Sequence, residues 1–229
     1  MKTDPNSAEI IRQPIITSLE PDAAMTAPCV LLMSGGVESS TLFFESAQSR
    51  QIVPIFLDYG QRAAAQEWRT VQNLTMSAEI TAQRYDLSTF GNAVGALRAE
   101  RYHVPLPHRN FVAIAAVAAI ASNLKINVIR IGLSADDAQV DSCSRPAFQN
   151  AIGQTLNSIG LQLDTPLIHM SKTAIIEHGN RLNVPWQRTY SCLLGRSRHC
   201  GFCPQCQKRR TAFAQAGASD QDVGYNLKP

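Results

Sequence analysis

Short apolar runs alternate with stretches of helical spacing along most of the chain. Five runs have the length and apolar character of buried strands, at residues 29–33, 52–57, 82–86, 128–133 and 161–165. Helical patterns occupy the stretches between and after them, at residues 39–48, 64–80, 109–125, 145–159 and 171–178. Gly179 is expected to end the last helix. Strands that alternate with helices predict an α/β fold with a doubly wound, five-stranded parallel sheet.

Two parts of the chain fit this pattern less well. Pro54 lies inside the second predicted strand and removes one hydrogen-bond donor from it. Residues 87–107 have no clear period, and we predict a long loop that contains a helical piece. We therefore divide the chain into an N-terminal arm (1–27), an α/β domain (28–190) and a C-terminal segment (191–229) that packs on the same domain.

Composition and charge narrow the class of protein. The 229 residues are 45% hydrophobic and 17% charged, which suits one folded domain. The net charge of +3 is too small for an electrostatic nucleic-acid binder. The longest apolar run, residues 111–121, falls well short of the roughly 20 residues that a membrane helix needs. The first residues lack the apolar stretch of a secretory signal, so we expect a cytoplasmic protein without a membrane partner.

The first predicted strand is followed by the sequence Ser-Gly-Gly-Val-Glu-Ser at residues 34–39, called the glycine loop below. A glycine pair between a strand and a helix lets backbone N–H groups approach an anion, and flanking serines add hydroxyl donors. The alternative is a plain strand-to-helix turn, but serines on both sides favour a phosphate site. No lysine is present, so this is not a Walker A motif. The loop resembles the PP-loop of N-type ATP pyrophosphatases, Ser-Gly-Gly-X-Asp-Ser, with Glu38 in place of Asp.

Four of the six cysteines lie close together, at Cys192, Cys200, Cys203 and Cys206. Because thiols stay reduced inside cells, this spacing indicates a metal site before disulfides or free buried cysteines. Four thiolates complete the tetrahedral shell of zinc and leave no open position, so the predicted zinc is structural. An iron–sulfur cluster is the alternative for the same thiols. The nearby basic residues are expected to form a solvated rim: Arg196, Arg198, Lys208, Arg209 and Arg210.

The glycine loop and the cysteine group, at opposite ends of one α/β domain, together resemble the QueC family of 7-cyano-7-deazaguanine synthases. Further short motifs extend the resemblance over roughly residues 28–225, in the right order. They are Asp58-Tyr59-Gly60-Gln61-Arg62, Pro107-His108-Arg109-Asn110, Pro166-Leu167 with Lys172, Ser191-Cys192, Cys200-Gly201, and Ala212-Phe213 with Gly217 and Asp220. This resemblance implies the PP-loop (adenine nucleotide alpha-hydrolase) type of fold, a structural Zn²⁺ and a homodimer.

The resemblance also implies a reaction. ATP and Mg²⁺ would activate 7-carboxy-7-deazaguanine as an adenylate, ammonia would form the amide, and a second activation would give the nitrile. The residues implied for ATP or pyrophosphate are Met33, Ser34, Gly35, Gly36, Val37, Glu38, Ser39, Ser40, Asp58, Gln61, Arg62 and Lys172. Glu38 is a candidate for the magnesium or phosphate shell, and Lys172 and Arg62 are candidates to offset phosphoryl charge. Candidates for the substrate are Arg109, Asn110, Asp137, Asp141 and Arg145.

Several positions depart from the family pattern. Asp137 and Arg145 keep their places, but the Tyr-Pro-Asp-Cys core between them is rewritten; His108 stands in place of Gly, and Ala63 in place of His. The altered loop and Glu38 favour an alternative, a paralogue that stops at the amide or joins the acyl group to a protein or peptide amine, as in some antiphage defence operons. A PP-loop tRNA sulfur transferase is another alternative, which would require a reactive cysteine or an iron–sulfur cluster. A non-enzymatic zinc-ribbon module would leave the glycine loop unexplained.

Overall fold

The computed structural model describes residues 26–95, 106–220 and 225, so the predicted arm at residues 1–27 lies almost entirely outside the described residues. Within this part of the chain, five parallel strands form one sheet. The strands are β1 (Thr26–Leu32), β2 (Arg50–Asp58), β3 (Gln83–Asp86), β4 (Val128–Ile131) and β5 (Gln162–Asp164). Their order, β3-β2-β1-β4-β5, confirms the predicted doubly wound sheet.

The strand order fixes where a ligand can bind. The chain runs outward from β1 to β3 and then crosses back to β4 on the other side of β1. At such a reversal the connections leave on opposite faces of the sheet, which opens a crevice beyond the carboxyl ends of the strands. The glycine loop follows β1, so it lies at the edge of this crevice.

Helices cover both faces of the sheet. They are α1 (Val37–Ala47), α2 (Ala64–Met76), α3 (Ser88–Gly95), α4 (Arg109–Leu124), α5 (Ala135–Ala138), α6 (Pro146–Asn157), α7 (Lys172–Arg181) and α8 (Pro204–Gln215). Side chains of α1, α2, α7 and α8 form the core on one face, and those of α4 and α6 form the core on the other. None of the described helices is long and apolar enough to span a bilayer.

The structure explains why Pro54 is tolerated inside β2. The carbonyl oxygen of Ile55 accepts the N–H of Met33 at 2.8 Å, so the polar groups of Ile55 face β1 and those of Pro54 face the β3 side. Pairing with β3 begins only at Ile55 and Gln83. The N–H that proline lacks would therefore point to a place where no ladder partner exists.

The C-terminal segment contains an unpredicted helix, α8, which is anchored by a buried arginine. Arg209 is fully buried, and its guanidinium donates to both carboxylate oxygens of Asp220 and to the hydroxyl of Thr189. It also lies over the ring of Phe213, 4.9 Å from the centroid. The expectation that Arg209 belongs to a solvated basic rim is therefore wrong, because its charge is neutralised inside the fold.

Gly179 lies within α7 instead of ending it, and the helix continues to Arg181. A Cβ at this position would lie 2.4 Å from the ring of Trp186. The indole N–H donates to Oδ1 of Asn180 at 2.7 Å, which fixes the ring. The glycine is therefore needed for close packing of the ring on the helix, whereas the sequence pattern suggested a helix end.

We expect Gly179→Ala to lower the free energy of unfolding by about 1–3 kcal/mol, the usual cost of overpacking a core. Gly153, inside α6, provides a matched control because its added Cβ would meet only Leu163 Cβ, at 4.0 Å. Gly153→Ala should instead raise the free energy of unfolding, by about 0.5–1 kcal/mol, through helix propensity. Urea denaturation of both variants tests this, and equal changes would contradict the packing argument.

Candidate active site

The glycine loop connects β1 to α1 at the carboxyl edge of the sheet. Gly35 has a φ of +74°, and a Cβ there would lie 2.5 Å from Cγ2 of Thr70 on α2, so this position requires glycine. Gly36 is the N-cap of α1, and no side chain of the described residues caps that helix. The hydroxyl oxygens of Ser34 and Ser39 lie 3.3 Å apart in the same loop. Helix amides and hydroxyls together form a site suited to an anion.

A buried ion pair lies directly beside the loop. Glu38, in the first turn of α1, accepts a hydrogen bond from Nζ of Lys172, the first residue of α7. Only 7% of the Lys172 side chain and 13% of the Glu38 side chain are exposed. Burial alone would lower the pKa of Lys172, but Glu38, Asp137 and Asp136 outweigh it and raise the pKa above its ordinary value. A fixed positive charge therefore lies next to the predicted phosphate site.

The loop and the ion pair are part of the wall of a cavity of about 180 Å³. Residues at the carboxyl ends of β1, β2 and β4 also line it, as the strand order predicts. The predicted site residues on the wall are Met33, Ser34, Gly36, Glu38, Ser39, Gln61, Arg109, Asn110, Asp137 and Lys172. The structure thus brings residues from distant parts of the sequence into one cavity.

The other predicted site residues lie away from the cavity wall: Gly35, Val37, Ser40, Asp58, Arg62, Asp141 and Arg145. Val37 and Ser40 are fully buried in α1. Asp58 forms an ion pair with Arg84 at 2.6 Å and accepts the N–H of Gly60 at 2.9 Å, so its contacts stabilise the turn after β2. The side chain of Arg62 is exposed outside the cavity, as is that of Arg145.

Asp141 orients one of the residues on the cavity wall. Nδ2 of Asn110 donates to Oδ2 of Asp141 at 2.9 Å and to the hydroxyl of Ser144 at 2.8 Å. Asp141 also accepts the N–H of Cys143, whose Sγ lies 3.4 Å from Nδ1 of His108. His108 has a left-handed backbone, with a φ of 51°. Asp141 therefore does not line the cavity itself but orients Asn110, which does. The thiol of Cys143 contacts His108, which departs from the family pattern.

Several cavity residues were not among the predicted ones: Tyr59, Glu67, Tyr190, Ser191 and Gln205. The N–H of Tyr190 donates to the carbonyl of Gly35 at 2.8 Å, which places the C-terminal segment over the glycine loop. Glu67 and Thr70 share one face of α2 by their i, i+3 spacing, and that face packs on Gly35. The i, i+3 spacing is visible in the sequence, but the contact of this helix face with Gly35 forms only in the folded protein.

The four clustered cysteines are buried, and their sulfur atoms all lie within 4.8 Å of one another. Sγ of Cys200 and Sγ of Cys206 are 3.8 Å apart, close to the edge of a tetrahedron with metal–sulfur bonds of about 2.3 Å. Backbone N–H groups of Cys200 and Cys203 donate to Sγ of Cys192 and of Cys200, as they do around thiolates. This group could therefore bind a metal.

His199 lies next to this group without joining it. Its Nε2 accepts the N–H of Ser191 at 2.9 Å, and its ring packs against those of Tyr190 and Tyr225. Burial lowers the pKa of His199 to about 4, so the imidazole is neutral. The histidine supports the segment that joins the cysteine group to the glycine loop.

Comparisons with known proteins identify the family of this chain. Residues 28–217 match the family described as "Queuosine biosynthesis protein QueC". The 7-cyano-7-deazaguanine synthase of Acaryochloris marina is 32% identical over 220 residues, covering 83% of this chain and 96% of the relative. That of Picrophilus torridus is 29% identical over 228 residues, covering 87% and 92%. A predicted subunit of a tRNA methyltransferase from Methanocaldococcus jannaschii shares the fold alone, with a TM-score of 0.51, 13% identity, and coverage of 89% and 94%. The chain therefore belongs to the QueC family.

Proposed function

We propose that this protein uses ATP to convert 7-carboxy-7-deazaguanine into 7-cyano-7-deazaguanine. A carboxylate oxygen attacks the α-phosphate of ATP, pyrophosphate leaves, and ammonia converts the adenylate into the amide. A second activation, at the amide oxygen, and loss of AMP give the nitrile. The proposal rests on one observation above all: the glycine loop and the Glu38–Lys172 ion pair line the same cavity. The names of the curated relatives support the product.

The cavity residues suit each part of this reaction. A carboxylate is a poor electrophile because attack must displace oxide, and adenylation replaces that leaving group with AMP. The helix amides and serine hydroxyls of the glycine loop would hold the departing pyrophosphate. Lys172 would offset charge that develops on the α-phosphate, and Glu38 keeps its ammonium in place. Arg109 and Asn110, on the wall formed by α4, would bind the substrate.

Two metal ions complete the proposal. Glu38 and Asp137 are cavity carboxylates that would hold Mg²⁺ together with the phosphates of ATP, where it neutralises phosphate charge. The four cysteines would hold a structural Zn²⁺, since four thiolates leave no position for a substrate. The N–H of Tyr190 bonds to Gly35, so a rigid cysteine group would also stabilise the glycine loop.

We further propose that the protein acts as an ATP-dependent C–N ligase, in the cytoplasm and as a homodimer. The metal site needs four free thiols, and thiols stay reduced in the cytoplasm, which supports this location. The resemblance to the QueC family supports the dimer.

A second candidate function is a paralogue that joins the deazaguanine acyl group to a protein or peptide amine, such as a protein N-terminus. The contact between Cys143 and His108 favours it, because both residues depart from the family pattern and both lie behind Asn110 on the cavity wall. A pair of neighbouring changes at the substrate end would alter the acceptor while leaving the ATP end unchanged.

A product assay tests the proposal. The protein is incubated with ATP, Mg²⁺, 7-carboxy-7-deazaguanine and ammonium, and the products are identified by mass. We expect pyrophosphate release that requires the deazaguanine, followed by the amide and then the nitrile. A parallel reaction with a peptide amine distinguishes the second candidate, which predicts a conjugate and no nitrile. Pyrophosphate release that does not depend on the deazaguanine would overturn both candidate functions.

A further inference from the structure

Among the residues that the structure describes, three carboxylates line the cavity, and one of them is held differently from the other two. Glu38 is paired with the ammonium of Lys172. Asp137 accepts the N–H and the hydroxyl of Ser134, at 3.2 and 2.8 Å, in the capping box that begins α5. Glu67 has a neutral donor, because Nε2 of Gln61 bonds to its Oε2 at 2.9 Å.

Gln61 is itself fixed, so Glu67 is oriented without being neutralised. Nε2 of Gln61 also donates to the carbonyl of Leu57 at 3.2 Å, and its Oε1 accepts the N–H of Tyr59 at 2.9 Å. These bonds hold the amide to the end of β2. One carboxylate oxygen of Glu67, Oε2, is therefore held by Gln61, and both residues line the cavity.

The surroundings of Glu67 let it exchange a proton near neutral pH. Burial raises the pKa of this carboxyl to about 7, against the opposing effects of the Gln61 hydrogen bond and of the Arg109 charge on α4. Asp58 at the end of β2 adds a smaller raising effect. Tyr59 lines the same cavity, and burial raises the pKa of its phenol further above its ordinary value. Burial thus brings the pKa of Glu67 close to the pH at which the reaction runs.

We propose that Glu67 is the general base of amide formation, an inference that rests on the proposed function. The nitrogen lone pair of the amine forms a C–N bond with the acyl carbon of the adenylate. The C–O bond to AMP breaks, and AMP leaves with that electron pair. The proton lost by the nitrogen passes to Oε1 of Glu67 and then to water.

The other two cavity carboxylates are less suited to this step. Protonation of Glu38 would break a buried ion pair and leave Lys172 without its counter-ion. Protonation of Asp137 would weaken its bonds with Ser134 at the start of α5. Protonation of Glu67 leaves the Gln61 hydrogen bond in place, since the bonded oxygen still accepts.

Two half-reactions separate this role from adenylation. ATP–pyrophosphate exchange dependent on 7-carboxy-7-deazaguanine reports adenylation, and amide formation from ammonium reports the later step. Glu67→Gln keeps the size of the side chain and an oxygen that accepts from Gln61. We expect exchange within a few-fold of wild type and amide formation lowered about 10²–10⁴-fold, the usual effect of a general base. Gln66→Ala, at the neighbouring position of α2, is the control, because Gln66 bonds only at the surface to Arg69.

The pH dependence of amide formation is a second test, because a purely structural role of Glu67 would not affect it. Ionisation of the amine affects both proteins equally, so the ratio of wild-type to Glu67→Gln rates isolates the carboxylate. That ratio should rise as pH increases through about 7, because the ionised carboxylate is the proton acceptor. Equal loss of exchange and amide formation, no loss of either, or a ratio independent of pH would overturn the inference. A wild-type protein without exchange would instead refute the proposed function.

Discussion

Lys172→Met should reduce deazaguanine-dependent pyrophosphate release by about 10²–10³-fold, since it would remove the electrostatic contact that we propose between Lys172 and the transferring phosphoryl group. It also leaves the largely buried carboxylate of Glu38 without its counter-ion beside the glycine loop. We expect the free energy of unfolding to fall by about 3 kcal/mol, as when one partner of a buried pair is removed. Pyrophosphate release and urea denaturation measure the two effects.

Two controls separate the role of this charge from a general loss of charge. Lys208→Met makes the same chemical change at a lysine whose Nζ donates to the carbonyl of Asp136, at 3.4 Å, and should keep activity within a few-fold. The double variant Glu38→Gln/Lys172→Met removes both charges, so it should recover much of the stability lost by Lys172→Met but little of the activity. Recovery of both would show that Lys172 acts only by neutralising Glu38.

Cys203→Ser should lose bound zinc and thermal stability together. Binding of a structural zinc contributes apparent free energies of about 10–16 kcal/mol in small domains, and part of this would stabilise the segment that contains the four cysteines here. We expect the unfolding midpoint to fall by about 10 °C or more, given the usual 2–4 °C per kcal/mol for chains of this size. Because Tyr190 bonds to Gly35, adenylation should fall as well.

Cys143→Ser is the matched control for this change. Cys143 is also buried, but it lies outside the four-cysteine group, so its replacement should keep the full complement of zinc. Metal content, measured by elemental analysis, and calorimetry are recorded for both variants. An unchanged midpoint in a chelated, metal-free sample would rule out a structural zinc.

The sequence pattern predicted the sheet well because buried parallel strands are short, apolar and separated by helices. It did not predict α8, whose residues carry no apolar stripe and whose start lies within the cysteine group, with Cys203 as the N-cap and Cys206 in the first turn. It also assigned Gly179 to a helix end, because nothing local shows that the ring of Trp186 packs on that residue. In both cases the local pattern of hydrophobic and polar residues does not record the contacts that decide the structure.

The candidate site also combines features that the sequence predicted with features that only the folded structure shows. The glycine loop and the four cysteines are local motifs, and each was visible as a run of residue types. The pairing of Glu38 with Lys172 joins residues 134 positions apart, and the local motifs predicted a separate role for each of them. Glu67 was missed because it enters the cavity through the packing of α2 on Gly35, which no local pattern records.

The central claim, adenylation of a carboxylate in this cavity, is tested most directly by isotope transfer. The carboxylate of 7-carboxy-7-deazaguanine is labelled with the heavy isotope of oxygen, and AMP, pyrophosphate and the deazaguanine product are analysed by mass. Attack on the α-phosphate predicts one heavy oxygen in AMP after amide formation, and a second in another AMP when the nitrile forms. Heavy oxygen in inorganic phosphate or pyrophosphate, with unlabelled AMP, would contradict the account.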